Sequence, residues 1–596
     1  MTKPPVAAFE AGAFKLRDDP DECDLVMKGG ITSGVVYPNA ILELARQYRF
    51  RSIGGASAGA IAAAFAAAAE YARRNGDLDG FVRMDARCRA LPEILPDLFQ
   101  PSPAMRPLFE AALAFTRGSG ALGAAAHAMR GPLLKGAAIG FAIHAVIVLA
   151  LAWWTGTDAW PATAWPGALA FVVGGALLTL GLRLRRLLVE EIPKRNFGLC
   201  SGLDEARTGK PVLTEWIHES LQEIAFGAGG RAKPLTFGDL ERAGVKRGRQ
   251  PLPGGEIDLR MMTTNLSLQR PEVVPKWTLD LHFAENEWRE IFPKAVIEYL
   301  MGGTEKTPLC KPHPQRSELR RLPLAPNLPV LIGVRMSLSF PVLVQAVPVH
   351  LSDVGARARG ELEPGQAVPV EKIWLSDGGI TSNFPIHLFD VLLPSRPTFA
   401  LNLDEIPQAR AGENRIHMPQ GAAQGIFQPI HKIENLGSFA GSILASAKDW
   451  QDQMLSVLPG QRQRIVSIRL TPDEGGLNLR MAPEKSRRLM AFGRQAGATI
   501  RSQFDWDEHR WRRILVAYQQ LETVSESLQK LWPTYGQWYE GYMEKVQAYA
   551  HRFPLPLRRD IKARMDGLAE GAKAMSPPLK AEFPKPSGQL RIVPDV

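Results

Sequence analysis

Between residues 136 and 182 this 596-residue chain carries two uncharged apolar runs back to back, and no other stretch limits the fold as much. Gly136 to Trp154 contains no Asp, Glu, Lys or Arg, and His144 is its one strongly polar residue. Ala162 to Leu182 repeats the pattern after a break holding Gly156, Asp158 and Pro161. At about 1.5 Å rise per residue, a helix of either length crosses a hydrocarbon core of about 30 Å. Trp153, Trp154, Trp160 and Trp165 gather around the connection, as an interfacial belt would. Arg130 and Lys135 flank the entry, and Arg183, Arg185 and Arg186 flank the exit. The positive-inside bias then places both ends in the cytoplasm. Residues 133–187 are accordingly expected to form an inserted transmembrane hairpin, with His144 tolerated facing the partner helix. A hydrophobic hairpin buried in a cap domain or an oligomer interface is the soluble alternative.

Upstream, Phe50 to Ile53 reads as a short buried strand, and Gly55-Ala56-Ser57-Ala58-Gly59 fits G-x-S-x-G. Ala58 to Arg73 is rich in strong helix formers. Strand, tight turn and helix with a serine at the turn make a nucleophile elbow, in which Gly55 and Gly59 let the backbone bend and the helix sit close. Taken alone, the pattern also fits a small-residue helix start packed on a sheet. Two further stretches bear on it. Asp24 to Met27 leads into Gly29-Gly30-Ile31-Thr32-Ser33-Gly34, a strand running into a glycine loop, followed by a helix over Asn39 to Arg46. Far downstream, Ile373 to Ser376 runs into Asp377-Gly378-Gly379, and Asn383-Phe384-Pro385 follows.

Glycine loop, G-x-S-x-G and D-G-G in this order resemble the patatin-like phospholipase family over roughly residues 22–105 and 190–405. Asn196 to Gly202, Leu213 to Trp216 and Arg335 to Pro341 add to the resemblance. It implies an α/β fold with a three-layer α/β/α core and a mostly parallel central sheet. It also implies a Ser-Asp dyad: Ser57 as nucleophile, Asp377 as the base that accepts its proton, and no metal or cofactor. The oxyanion hole would come from the amides of Gly29, Gly30 and Ile31, with Gly34, Gly55, Gly59, Gly378 and Gly379 as motif glycines. The loop departs from the family pattern, since Ile31 stands at the third glycine and Ser33 at the basic position. A serine hydroxyl attacks an ester only when a base takes its proton. A carboxylate serves when held at hydrogen-bond distance and partly desolvated. Each oxyanion donor contributes about 3 kcal/mol.

The expected organisation is a first part of the catalytic core at 1–132 and the hairpin at 133–187. The second part of the core follows at 188–405, then a mainly helical extension with a Pro-rich tail at 406–596. Leu328 to Ser337 reads as a strand, Glu287 to Tyr299 as a helix, and Lys306 to Pro329 as a loop. In the extension, helices are expected over Ile430 to Leu458, Glu484 to Phe504 and His509 to Ala550, and a strand over Arg464 to Leu470. The stripe Trp511, Tyr518, Leu521, Leu528 and Trp532 reads as core packing.

The net charge is +10, from 71 Lys and Arg against 61 Asp and Glu. That suits an anionic membrane surface, while no basic stripe interleaved with aromatics points to nucleic acid. Cys23, Cys88, Cys200 and Cys310 lack C-x-x-C spacing and read as free buried thiols in a reducing compartment. The start, Met-Thr-Lys-Pro-Pro, reads as no secretory signal. The expected protein is a phospholipase A or lysophospholipase on the cytoplasmic face of an inner membrane, acting on membrane phospholipid or lysophospholipid. The extension would hold a regulatory partner or a homo-oligomer contact. Two other readings compete: an inactive membrane scaffold on the same fold, and a Ser-His-Asp hydrolase with His509 or His551 as base.

Overall fold

The computed structural model describes residues 8–30, 32–116, 130–156, 164–246, 249–253, 255–302, 309–419, 430, 433–476, 478–479, 481–547, 551–579 and 583–585. It is a mixed α/β molecule. Its strands in chain order are β1 (Asp21–Met27), β2 (Tyr48–Gly55), β3 (Gly198–Cys200), β4 (Asp258–Asn265), β5 (Arg270–Val274), β6 (Leu281–Ala284) and β7 (Leu319–Arg321). Then come β8 (Val342–Val344), β9 (Val347–Ser352), β10 (Val370–Asp377), β11 (Thr398–Glu405), β12 (Ile416–His417) and β13 (Ile465–Leu470).

Eleven of these build one sheet in the order β12-β13-β11-β1-β2-β4-β10-β9-β6-β7, with β5 added to β4. The central block β13-β11-β1-β2-β4 is parallel throughout. From β10 to β7 and at β12 the pairing is antiparallel. β3 and β8 form a separate parallel pair.

The helices used below are α1 (Tyr37–Ala45), α2 (Ala58–Arg74), α3 (Asp79–Arg89), α4 (Arg130–Thr155), α5 (Ala164–Arg185) and α6 (Leu213–Phe226). They continue with α7 (Val330–Ser337), α8 (Leu436–Ser456), α9 (Pro483–Gln503), α10 (Trp506–Met543) and α11 (Leu555–Ala572). Successive side chains of a strand point to opposite faces. Leu25, Met27, Phe399 and Leu401 accordingly join the main core with α1, α2, α6 and α7. Val26 and Ala400 instead meet Phe384, Ile386 and Ile465, with Leu455 of α8 packed against them. The second face is thus covered by the short 384–389 segment and one end of α8.

Two expectations about local structure are corrected. Residues 328–337 are not a strand: α7 is a helix, and Val330 to Ser337 are all buried. A short apolar run enclosed on all sides carries no polar face from which its period could be read. The single helix expected over 287–299 is two, Glu285–Trp288 and Lys294–Leu300, because Pro293 cannot continue the first. The loop expected over 306–329 contains the edge strand β7; residues 306–308 lie outside the described set.

The extension after residue 405 is no separate body. β13 pairs with β11 over Ala400↔Ile465 to Glu405↔Leu470. α9 lies on α1, where buried Glu43 pairs with Arg494 at 2.9 Å and Arg501 at 3.0 Å. The expected boundary at 405/406 therefore falls inside the sheet.

α4 and α5 are long and apolar enough to cross a membrane, and they pack on each other. Their contact runs through small residues. A Cβ at Gly140 would stand 2.0 Å from the Phe171 carbonyl, and one at Gly175 2.3 Å from that of Gly136. Close backbone approach of this kind is how helices associate in lipid, where no hydrophobic force drives them together. Large apolar side chains, Phe141, Trp153, Trp154 and Trp165 among them, project outward. His144 is buried in the hairpin against Phe171.

Candidate active site

α2 fixes the position of Ser57. Its alanines favour helix, and its C-terminal end is tied to β2. There Arg74 donates to the Phe50 carbonyl at 2.9 Å, and buried Glu70 accepts from the Phe50 amide. At the other end α2 must start beside β1, since a Cβ on Gly59 would lie 2.5 Å from the Met27 carbonyl. The turn between β2 and α2 leaves Ser57 at φ 54, ψ −127, a conformation that non-glycine residues rarely hold. Its carbonyl accepts from Ala60 at 2.9 Å, so the first turn of α2 begins directly behind it. The positive end of that helix dipole therefore faces the serine.

Strand register brings Asp377 to the same place. Gly55 pairs with Met261 on one side of β4, and Asp377 pairs with Thr263 on the other. Ser57, two residues past Gly55, thus stands near the level of Thr263. Serine and aspartate flank β4 at one end of the sheet, each 3% exposed. Asp377 also caps the following turn, its Oδ1 accepting from the Gly379 amide at 2.7 Å. A Cβ on Gly378 would collide with the Met262 carbonyl at 2.1 Å, which explains the glycine there.

The glycine loop closes the same end. A Cβ on Gly29 would stand 3.3 Å from the Ser57 Cβ and 2.2 Å from Asn383 Oδ1. The Gly29 amide donates to the Asn383 carbonyl at 2.7 Å. That expected oxyanion donor is therefore engaged in this conformation. Among the described residues, the amides of Gly30 and Ala58 donate to no other group. Ile31 lies outside the described residues.

Two supports were not assigned from sequence. The end of α7 joins both halves of the pair: Ser337 Oγ accepts from the Ser57 amide at 3.1 Å, and the Ser339 carbonyl accepts from the Asp377 amide at 3.0 Å. Fully buried Arg335 holds this corner through Ser339 Oγ at 2.6 Å and the Ser201 carbonyl at 3.2 Å. Burial brings its guanidinium down to about 9. The second support is buried Asp452 of α8, which accepts from Ser382 Oγ at 3.1 Å and from the Phe384 amide at 2.7 Å. It thereby fixes Asn383 between them. The Arg335 to Pro341 segment and Asn383 stood out in sequence without these roles; nothing near Asp452 signalled one.

His509 is not beside Ser57. It packs against Phe504 and Trp506, with Arg464, Arg512 and Arg513 near. Arg464 reaches the Thr398 carbonyl at the N-terminal end of β11, away from the strand ends that carry Ser57. Burial, helped by those cations, lowers the imidazole to about 3, too weak a base for a serine. His551 is exposed. Among the described residues no His, Cys, Asp and Glu group has the geometry to hold a metal ion. All four cysteines are buried thiols. A cleft of about 770 Å³ opens after the exit of α5, lined by Glu191, Lys194, Arg195, Glu215 and Gln345 among others, and neither Ser57 nor Asp377 borders it.

No protein-family model matches the chain. A protein of Rhizobium meliloti (strain 1021) called "RpoH suppressor" is 34% identical over 649 aligned positions, which cover 96% of this chain and 98% of that protein. Among solved structures, VipD from Legionella pneumophila aligns at 13% identity with a TM-score of 0.26, over 93% of this chain and 86% of VipD.

Proposed function

The chain belongs to the family of the Rhizobium meliloti RpoH suppressor, and for this member we propose a serine acyl-ester hydrolase of the patatin-like phospholipase kind, acting on membrane glycerolipids. One observation carries the reading: Ser57 in its strained turn and Asp377 in its capped turn flank β4 at the same end of the sheet. Asp377 takes the Ser57 proton as the hydroxyl attacks the ester carbonyl, then passes it to the departing alkoxide, so the alcohol leaves neutral and the acyl-serine forms with the carboxylate free again. Water, deprotonated by the same carboxylate, then releases the fatty acid and restores the serine. The developing oxyanion is met by the Gly30 and Ala58 amides, which donate to no other group among the described residues, and by the start of α2. Both reacting side chains are nearly closed off from solvent, so the acyl chain enters as the Gly29–Asn383 contact beside them opens. The hairpin holds the core against the bilayer on its cytoplasmic side and raises the effective concentration of lipid.

A second reading rests on one specific contact. With the Gly29 amide already donating to Asn383, the oxyanion hole is incomplete, as it would be in a membrane scaffold that keeps the fold without turnover. A fluorophosphonate probe separates the two, because it labels only an activated serine. The hydrolase reading expects wild-type protein to be labelled at Ser57 and to release fatty acid from phospholipid vesicles. Ser57→Ala and Asp377→Asn are each expected to lower release by several orders of magnitude while the fold survives. Unlabelled wild-type protein, or hydrolysis retained in either variant, would reject it.

A further inference from the structure

The long helix α10 carries two parallel seams, and the described residues of its own chain fill only one. Tyr518, Glu522, Ser525, Gln529, Trp532 and Tyr539 face α11 and the segment after it. Tyr518 stacks on Phe583 at 5.9 Å, and Glu522 accepts from the Leu579 amide at 2.8 Å. Ser525 meets Met575, Gln529 meets the Ala572 carbonyl, Trp532 donates to Asp566 at 2.9 Å, and Tyr539 donates to the Arg558 carbonyl at 3.1 Å. These positions are mostly polar. One residue earlier in each case, about 100° round the helix, lies a more apolar row. Ile514, Leu521, Val524, Leu531, Tyr535, Trp538 and Tyr542 are each 43–60% exposed.

The spacing of that row is 7, 3, 7, 4, 3 and 4 residues, with Ala517 and Leu528 filling its two gaps. Every member therefore falls on the a or d position of one unbroken heptad register. A repeat of 3.5 residues, kept from residue 514 to 542, is the period that holds a seam against another helix; a lone surface helix needs only 3.6. Pro533 falls at the f position, opposite the seam, so the local bend it imposes leaves the row intact.

The residues flanking the row decide its occupant. Tyr518, Gln520, Ser525, Ser527, Trp532 and Thr534 are uncharged, so two copies meet without like-charge repulsion. An interfacial helix on an anionic bilayer would place Lys and Arg along those flanks. Between 514 and 542 α10 instead has Glu522, Glu526 and Glu540 against Lys530 alone. Seven half-exposed large side chains from each of two copies bury roughly the 1,200–2,000 Å² of a stable interface.

We propose that this row is a self-association seam, through which two copies of the chain pair α10 against α10 as a coiled coil. The pairing stands whether or not Ser57 is a nucleophile.

The test uses the full chain in detergent, with its mass read by analytical ultracentrifugation. Wild type is expected at the mass of two chains and Leu531→Glu/Trp538→Glu at one, with unchanged circular dichroism. Leu528→Cys lies at the middle of the row. It faces its own copy in a parallel pair, where a meets a, so oxidation should give a covalent dimer; in an antiparallel pair a meets d, and Leu528→Cys/Leu531→Cys should crosslink instead. Lys530→Cys, off the seam, should not. The native thiols are all buried and add little background. A single-chain mass for wild type, or a two-chain mass that survives Leu531→Glu/Trp538→Glu with neither the Leu528→Cys nor the Leu528→Cys/Leu531→Cys crosslink, overturns the seam.

Discussion

At Ser57 the chain holds a backbone conformation whose mirror image is ordinary extended structure. Glycine adopts both hands with equal ease, whereas a residue with a Cβ carries about 1–3 kcal/mol of strain there. Replacing serine by glycine relieves the strain and adds roughly 0.5–1 kcal/mol of unfolded-state entropy. Ser57→Gly is therefore expected to be about 1 kcal/mol more stable than Ser57→Ala, which keeps the Cβ, and neither should take a fluorophosphonate label. Thermal unfolding of the two side by side decides it, and an alanine variant at least as stable as the glycine variant would show the turn to be relaxed. The serine and Asp377 were legible because glycines must surround each of them. Gly59 and Gly378 sit where a Cβ would strike the backbone of Met27 or Met262, and such close approaches leave a mark in sequence. Ser337 left none, because a buried hydroxyl accepting one amide looks like any other serine.

Among the elements, β1, β2 and β10 were visible as short apolar runs leading into glycine turns and β13 as a further strand, and the helices after the first two glycine motifs as runs of strong formers. α7 was not, because burial on every side erased its period. α8 shows a different gap between pattern and role. Its inward carboxylate, Asp452, holds the 382–384 loop about 70 positions upstream, and no local rule connects the two. Removing that carboxylate leaves a buried hydroxyl and a buried amide unpaired, at roughly 1–3 kcal/mol each. Asp452→Ala should lower stability by about 2–6 kcal/mol. It should also speed fluorophosphonate labelling of Ser57 severalfold, because the loosened loop releases the Gly29 amide from Asn383 and opens the way to the serine. Secondary structure by circular dichroism should not change. Labelling at the wild-type rate would show that α8 supports the fold without supporting the site.

For the molecule as a whole, the boundary between core and extension was the least legible feature. The strands that cross it, β12 and β13, are short and lie roughly fifty residues apart, so nothing nearby shows that they rejoin the parallel block. The joint is where acid should open the structure. His509 sits where α10 leaves α9, against Phe504 and Trp506, beside Arg464 at the start of β13 and Arg512 and Arg513 of its own helix. Burial lowers its imidazole to about 3, and burial also lowers His417 on β12. The unfolded chain binds a proton at each histidine below about 6.5, while the folded chain binds fewer. Stability is therefore unaffected above pH 6.5 and falls as pH drops below it, by up to about 1.4 kcal/mol per pH unit for His509 until pH 3. Among the described residues the buried Nδ1 of His509 has no hydrogen-bond partner, so a phenyl ring replaces the imidazole without leaving a polar atom behind. His509→Phe should match or exceed wild type at pH 7.5 and lose less of its urea midpoint between pH 6.5 and 4.5. Parallel losses in the two proteins would place the acid-sensitive joint somewhere other than β13 and α10.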